Sequence, residues 1–320
     1  VSRFEHLRRR LGARVAQGFF EGASRLGSLH PKARPEAHGL EVIRDVSYDP
    51  THPIRRLDIW RPRGTSPDAP LPALLYVHGG GFRILSKETH WVMALAFARR
   101  GFVVFNIEYR LAPTHPFPAA VEDAAAAYAW VVAHAAEYGG DVARLVLAGE
   151  SAGANLVAAL TVAACYERPE AFARQVFETG VAPQVVLPAC GIHQVSDPGR
   201  FKRRKPKIAR FIADRIDEVS HGYLGARDGT DPSIDLADPL RVFERDDAPA
   251  RPLPRVFLTC GTADPILDDT RRLHAALVRR GATAEVRYYP GEPHAFHALV
   301  FRASARRHWD DTWDFLARHL

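Results

Sequence analysis

Strand-like and helix-like segments alternate along most of this chain, and that alternation restricts its possible folds more than any other feature. PALLYVH (72–78), FVVFNIE (102–108), RLVLAG (144–149), QVVLPAC (184–190) and RVFLTCG (255–261) are nearly continuous apolar runs. Such runs mark strands buried on both faces. AEVRYYP (284–290) ends the series. Between and after the runs, residues 88–100, 121–139, 154–167, 270–281 and 302–319 read as helices, the first closed by Gly101 and the second by Gly139 and Gly140. Two earlier segments, 40–48 and 55–62, alternate apolar and polar residues as half-buried antiparallel strands do. Buried strands joined by helices of this length imply an α/β fold, with a mostly parallel central sheet flanked by helices on both faces. At 320 residues and 47% hydrophobic content, the chain holds enough apolar mass for one large core of this kind.

Two stretches break the rhythm. Residues 191–250 have little strand character, many charges and several prolines, and are too long for a plain connection. They read as an insertion over one end of the sheet, with Ile208, Phe211, Ile212 and Ile216 forming a helical stripe and KRRKPK (202–207) a solvated loop. Residues 3–20 place Phe4, Leu7, Leu11, Val15 and Phe19 at helical spacing among arginines. This basic amphipathic helix is expected to pack on the protein's own surface rather than lie on a membrane. The net charge of +6 is spread along the chain, which argues against a nucleic-acid surface. No run of about 18 apolar residues is present, and no signal-peptide pattern. The three cysteines, Cys165, Cys190 and Cys260, sit in apolar surroundings without zinc-ligand spacing. A disulfide framework is not expected, and the cytoplasm is the expected location.

In an open parallel sheet, ligand sites form at the carboxyl ends of the strands. Four of those ends carry suggestive residues: His78-Gly79-Gly80-Gly81-Phe82, Gly149-Glu150-Ser151-Ala152-Gly153, Asp264, and His294 in GEPHAF. A serine hydroxyl needs an adjacent base to become a nucleophile. His294 can take the proton and return it to a leaving group, and Asp264 can orient and stabilise the imidazole. A turn from strand to helix within one or two residues crowds the flanks of Ser151, and Gly149 and Gly153 remove the side chains that would clash. The positive end of the following helix favours developing negative charge. The Ala152 amide is one expected oxyanion donor, with Gly80 and Gly81 supplying others because main chain approaches a ligand closely where side chains are absent.

These motifs together resemble the bacterial hormone-sensitive-lipase-like carboxylesterases of the α/β-hydrolase fold. The resemblance rests on HGGGF (78–82), YRLAPTHPFPAAVEDA (109–124), GESAGANL (149–156), DPILDD (264–269) and PHAF (293–296). It implies a Ser151–Asp264–His294 triad in the chain order of that fold. It also implies an oxyanion hole from Gly80, Gly81 and Ala152, and no metal or organic cofactor. It further implies a cap built from 1–38 and an insertion at about 191–235, over a catalytic domain spanning 39–320. The partner expected is a small-molecule ester, without nucleic acid or stable membrane insertion. The resemblance admits a homodimer paired through the last strand and helix. The sequence departs from many relatives at Glu150, Thr114 and Ala295. Of these, Glu150 bears on the site, being one methylene longer than the aspartate common there.

The remaining residues have quieter readings. Phe82 and Leu267 are candidates for the substrate pocket or for packing. His297 rivals His294 as base, though the resemblance favours His294. Asp268 and Asp269 read as first-turn helix residues suited to the dipole, as do Glu122 and Asp123. The activity expected is hydrolysis of short- to medium-chain acyl esters through an acyl-enzyme. An amidase or acyltransferase would use the same triad, and a non-catalytic receptor would be expected to lack a triad member.

Overall fold

The computed structural model describes residues 17–18, 21–22, 24–206 and 208–320. The basic helix predicted over 3–20 falls almost wholly outside the described residues. From Leu40 onward strands and helices follow one another: β1 (Leu40–Ser47), β2 (Arg56–Pro62), β3 (Leu71–Val77), α1 (Trp91–Ala98), β4 (Val103–Ile107), α2 (Ala119–His134), β5 (Gly140–Glu150), α3 (Ala152–Cys165), α4 (Ala171–Glu178) and β6 (Val185–Ala189). There follow α5 (Gly199–Arg204), α6 (Arg210–Leu224), α7 (Pro239–Glu244), β7 (Arg255–Gly261), α8 (Leu267–Arg279), β8 (Ala284–Tyr289) and α9 (Ala303–His319).

The eight strands form one sheet in the order β1-β2-β4-β3-β5-β6-β7-β8. The pairs β1–β2 and β2–β4 are antiparallel, and every pairing from β4 to β8 is parallel. This is the mostly parallel α/β sheet that the apolar runs imply. Alternate residues of β3 feed two cores. Leu75 and Val77 join Leu156 and Val157 of α3 on one face, while Leu74 and Tyr76 join Met93 and Phe97 of α1 and Trp309 of α9 on the other. Each such fully buried leucine stabilises the fold by about 1.5–3 kcal/mol.

Helix α3 is buried along its whole length. Its run of alanines lets it lie close against the sheet. At Gly153 the approach is closest, and a Cβ there would strike the carbonyl oxygens of Val77 and His78 at the end of β3.

The elements depart from expectation in places. Strand β5 begins at Gly140 rather than 144, because Gly139, with φ of +76°, turns the chain in time for Gly140 and Asp141 to pair with Leu71 and Pro72. The eight-residue α4 is too short to show a distinct sequence period. In the insertion, α6 carries Phe211, Ile212 and Ile216 of the predicted stripe while Ile208 precedes it, and Phe211 stays 63% exposed while Ile216 is buried. The KRRKPK run is not simply a solvated loop: Lys202, Arg203 and Arg204 close helix α5, and Lys205 Nζ donates to the carbonyl oxygen of Asp264 at 2.9 Å. Lys207 lies outside the described residues. Helix α6 covers the segment after β3. Tyr223 stacks on Phe82 with ring centres 3.7 Å apart, and Glu218 pairs with Arg83 at 2.6 Å. Among the described residues, no helix is long and apolar enough to cross a membrane.

Candidate active site

Ser151 sits between β5 and α3 with φ of +55° and ψ of −113°, a backbone state that an L-residue adopts only under constraint. The constraint comes from both sides. The Ser151 amide donates to Ala189 O at 2.9 Å on the neighbouring strand end, and its carbonyl accepts from Asn155 at 3.2 Å inside the helix. Gly149 and Gly153 face each other across the bend, and a Cβ on Gly149 would meet the Gly153 backbone at 2.7 Å. The serine is therefore lifted from the end of the strand toward the open side of the sheet.

The three side chains picked out from separate strand ends meet there. His294 Nε2 lies 2.9 Å from Ser151 Oγ, and His294 Nδ1 lies 2.8 Å from Asp264 Oδ2. Asp264 is fully buried, and its other oxygen accepts from the Ile266 amide at 2.9 Å. Burial disfavours its charge, but His294 and the Ile266 amide outweigh burial and hold the carboxyl below its ordinary range. For His294 the balance is similar. Burial works against the charged imidazole, yet the Asp264 carboxylate raises its pKa well above the ordinary 6.5.

The glycine loop after β3 runs beside this trio. Gly80 and Gly81 have φ of +107° and +60°. A Cβ on Gly80 would strike the Ile84 carbonyl, and one on Gly81 would reach Val219 of α6 at 2.6 Å. Among the described residues no hydrogen bond engages the amides of Gly80, Gly81 or Ala152. Tyr109 Oη donates to the His78 carbonyl at 3.0 Å and tethers the loop, with its ring stacked on His78. Phe82 is fully buried against Tyr223, and Leu267 is 3% exposed beside Cys190 and Cys260.

Sequence reasoning missed the role of Glu150. Its longer side chain spans two histidines, with His90 Nε2 2.9 Å from Oε1 and His297 Nε2 2.6 Å from Oε2. Burial opposes the charge of this carboxylate, and the two imidazoles hold its pKa well below the usual range. His297 is thus engaged behind the bend, while His294 faces Ser151. The segment carrying His294 is tied to the residue preceding the serine. Asp269 lies in the first turn of α8 as expected, whereas Asp123 lies just past the first turn of α2, and both are fully buried. Asp269 takes Arg200 Nη2 at 2.6 Å and the amides of His193 and Gln194 at 2.8 and 3.1 Å. Asp123 takes Arg55 Nε at 2.7 Å and the Arg110 amide at 2.8 Å.

A groove of about 580 Å³ is lined by Lys205, Ile208, Ala209 and Ile212 of the insertion and by Ala263 and Pro265, the chain neighbours of Asp264; Ser151 and His294 are not among its lining residues.

Comparison with known proteins places these features in context. Residues 74–298 match the model of a family described as having the alpha/beta hydrolase fold. The carboxylesterase NlhH of Mycobacterium tuberculosis is 30% identical over 299 residues, covering 91% of this chain and 86% of that protein. The esterase LipI of the same species is 31% identical over 261 residues, covering 81% and 73%. Among solved structures, a bacterial heroin esterase superposes with a TM-score of 0.76 at 25% identity, covering 96% and 92% of the two chains. The esterase LipW of Mycobacterium marinum gives 0.74 at 27% identity, covering 96% and 90%.

Proposed function

The chain belongs to the hormone-sensitive-lipase-like carboxylesterases of the alpha/beta hydrolase fold, and from that premise we propose that Ser151, His294 and Asp264 are its catalytic triad for short- to medium-chain acyl esters. The observation that carries this reading is the unbroken path Asp264–His294–Ser151, with links of 2.8 and 2.9 Å.

Ser151 Oγ attacks the ester carbonyl as His294 Nε2 takes its proton. The tetrahedral oxyanion forms against the amides of Gly80, Gly81 and Ala152, at the positive end of α3. Each such donor is worth about 3–4 kcal/mol in the transition state. His294 then protonates the departing alcohol, and in the second half-reaction it activates water to release the acid. Asp264 keeps the imidazole in the tautomer whose free nitrogen faces the serine. Helices α5 and α6, within the insertion at about 191–235, serve as a cap over the catalytic domain.

A fluorophosphonate probe should label one residue, and peptide mass mapping should place it on Ser151. A p-nitrophenyl ester series from acetate to laurate should give the highest kcat/KM at the short end. A maximum at laurate would overturn the chain-length assignment, and labelling elsewhere would overturn the nucleophile. Matched anilides should react far more slowly; if they matched the esters, the enzyme would be an amidase.

The raised pKa of His294 gives a signed expectation. Only neutral imidazole accepts the serine proton, so kcat/KM should rise with pH through the histidine pKa. The acid limb should therefore lie above 6.5. Asp264→Asn removes the charge that raises it, and burial alone should then move the limb below 6.5 while turnover falls. A pH–rate profile on p-nitrophenyl acetate reads both. An unchanged limb in Asp264→Asn would show that the carboxylate does not set it.

A further inference from the structure

Cys190 has no part in the hydrolytic scheme, yet it stands among the residues that do. It follows β6 directly, has φ of +41° and is buried, with 2% of its surface exposed. Its Sγ, a carboxylate oxygen of Asp264 and a ring nitrogen of His294 all lie within 4.8 Å of one another. A second sulfur stands behind the carboxylate, with Cys260 Sγ 3.4 Å from Asp264 Oδ2. Sulfur, nitrogen and oxygen donors so arranged are the set that zinc and cadmium take and that magnesium and calcium do not.

We propose that Cys190, Asp264 and His294 form a binding site for a soft divalent cation, Zn²⁺ or Cd²⁺, whose occupation switches the triad off. Nδ1 is the ligating nitrogen of His294, because it is the one that faces Asp264, at 2.8 Å. Zinc bound by these atoms at roughly 2.0–2.3 Å would hold them about 3.5 Å apart. The imidazole and carboxylate must therefore part by less than an ångström, and Sγ, within 4.8 Å of both, must close by at most about 1.3 Å, shifts of the size side-chain rotation supplies. His294 is 35% exposed at its side chain, which leaves the ion a way in.

The charges and protons balance. One thiol proton leaves to solvent as the Sγ–metal bond forms, and the thiolate and the Asp264 carboxylate neutralise the two charges of the ion. The proton of Nδ1 shifts to Nε2 when Nδ1 takes the metal. Nε2 then carries hydrogen toward Ser151 and can no longer accept the serine proton. The metal site stands on its own geometry; its inhibitory effect rests on the triad assignment above.

The test uses the full chain stripped with EDTA and titrated with CdCl₂ or ZnCl₂, read by calorimetry, by the ultraviolet thiolate-to-cadmium band, and by p-nitrophenyl acetate turnover. One equivalent should bind, the band should appear, turnover should fall by tenfold or more, and EDTA should restore it. Cys190→Ala should abolish the band and raise the inhibitory concentration at least about tenfold. Cys165→Ala, remote from the site, should change neither. Cys190→Ser preserves volume if the alanine variant does not fold, and should likewise lose the band. A band and an inhibition constant unchanged in both Cys190 variants, or equal inhibition by Mg²⁺, would overturn the proposal. A band that depends on Cys190 in a protein without esterase turnover would uphold the metal site and remove the triad reading instead.

Discussion

Ser151→Ala is expected to leave a folded protein whose ester turnover has dropped by about four to six decades. The change deletes one oxygen at a partly exposed position and opens no cavity. Alanine inherits the same φ of +55°, so strain at the bend is neither added nor relieved. The groups that hold Ser151 in place are main-chain, its N–H donating to the Ala189 carbonyl and its carbonyl accepting from the Asn155 amide, and they survive the substitution. Stability should therefore stay within about 0.5 kcal/mol of the parent, as for a surface change that touches no core contact. Activity should fall nearly as far as when His294 is removed, because the two act as one unit, and the double variant should be scarcely worse than either. The residue of activity would be what the Gly80, Gly81 and Ala152 amides give to a water-driven reaction. Turnover of p-nitrophenyl butyrate, alongside circular dichroism and a urea melt, decides the matter. Parent-like turnover in a folded Ser151→Ala protein would exclude Ser151 as nucleophile.

What the sequence disclosed and what it withheld divide along physical lines. The bend at Ser151 was legible because its cause is local: Gly149 and Gly153 are needed within two residues of the serine, and their absence of side chains is written in the sequence. The five parallel-sheet runs were legible because a strand buried on both faces has no polar side to show. The meeting of residues 151, 264 and 294 could be inferred because parallel strands deliver their carboxyl ends to one rim whatever their separation along the chain. The side-chain partners of Glu150 were not legible. His90 lies 60 residues before it and His297 well over a hundred after it, and no periodicity links a carboxylate to an imidazole brought up from another element. The same holds for Phe82, whose stacking partner Tyr223 belongs to an insertion with no strand pattern to fix its place. Asp269 is the sharpest case. In sequence it is an acid in the first turn of a helix, and nothing marks it as buried until Arg200 is seen to reach it from 69 residues away.

That burial makes Asp269→Ala the substitution with the largest expected effect on stability, about 3–5 kcal/mol. The carboxylate is fully buried and collects five hydrogen bonds. Arg200 approaches both of its oxygens, Nη2 at 2.6 and 2.7 Å and Nε at 3.1 Å, and the amides of His193 and Gln194 approach one. Alanine would strand the Arg200 charge at a site only a tenth exposed and leave two buried amides without their acceptor. These contacts bind the first turn of α8, just beyond Asp264, to the segment entering the insertion and to α5. The loss should therefore loosen Asp264, the proposed triad acid, together with α5, raising KM as well as lowering stability. Removing both charges should hurt less than the single variants predict: the loss in Asp269→Ala/Arg200→Ala should fall short of the sum by roughly 1–3 kcal/mol, since no uncompensated charge remains. Urea midpoints of the four proteins, at constant m-value, supply the cycle. A loss below about 1 kcal/mol in Asp269→Ala would mean that the carboxylate contributes little beyond the field of a helix end, as its sequence position alone suggests.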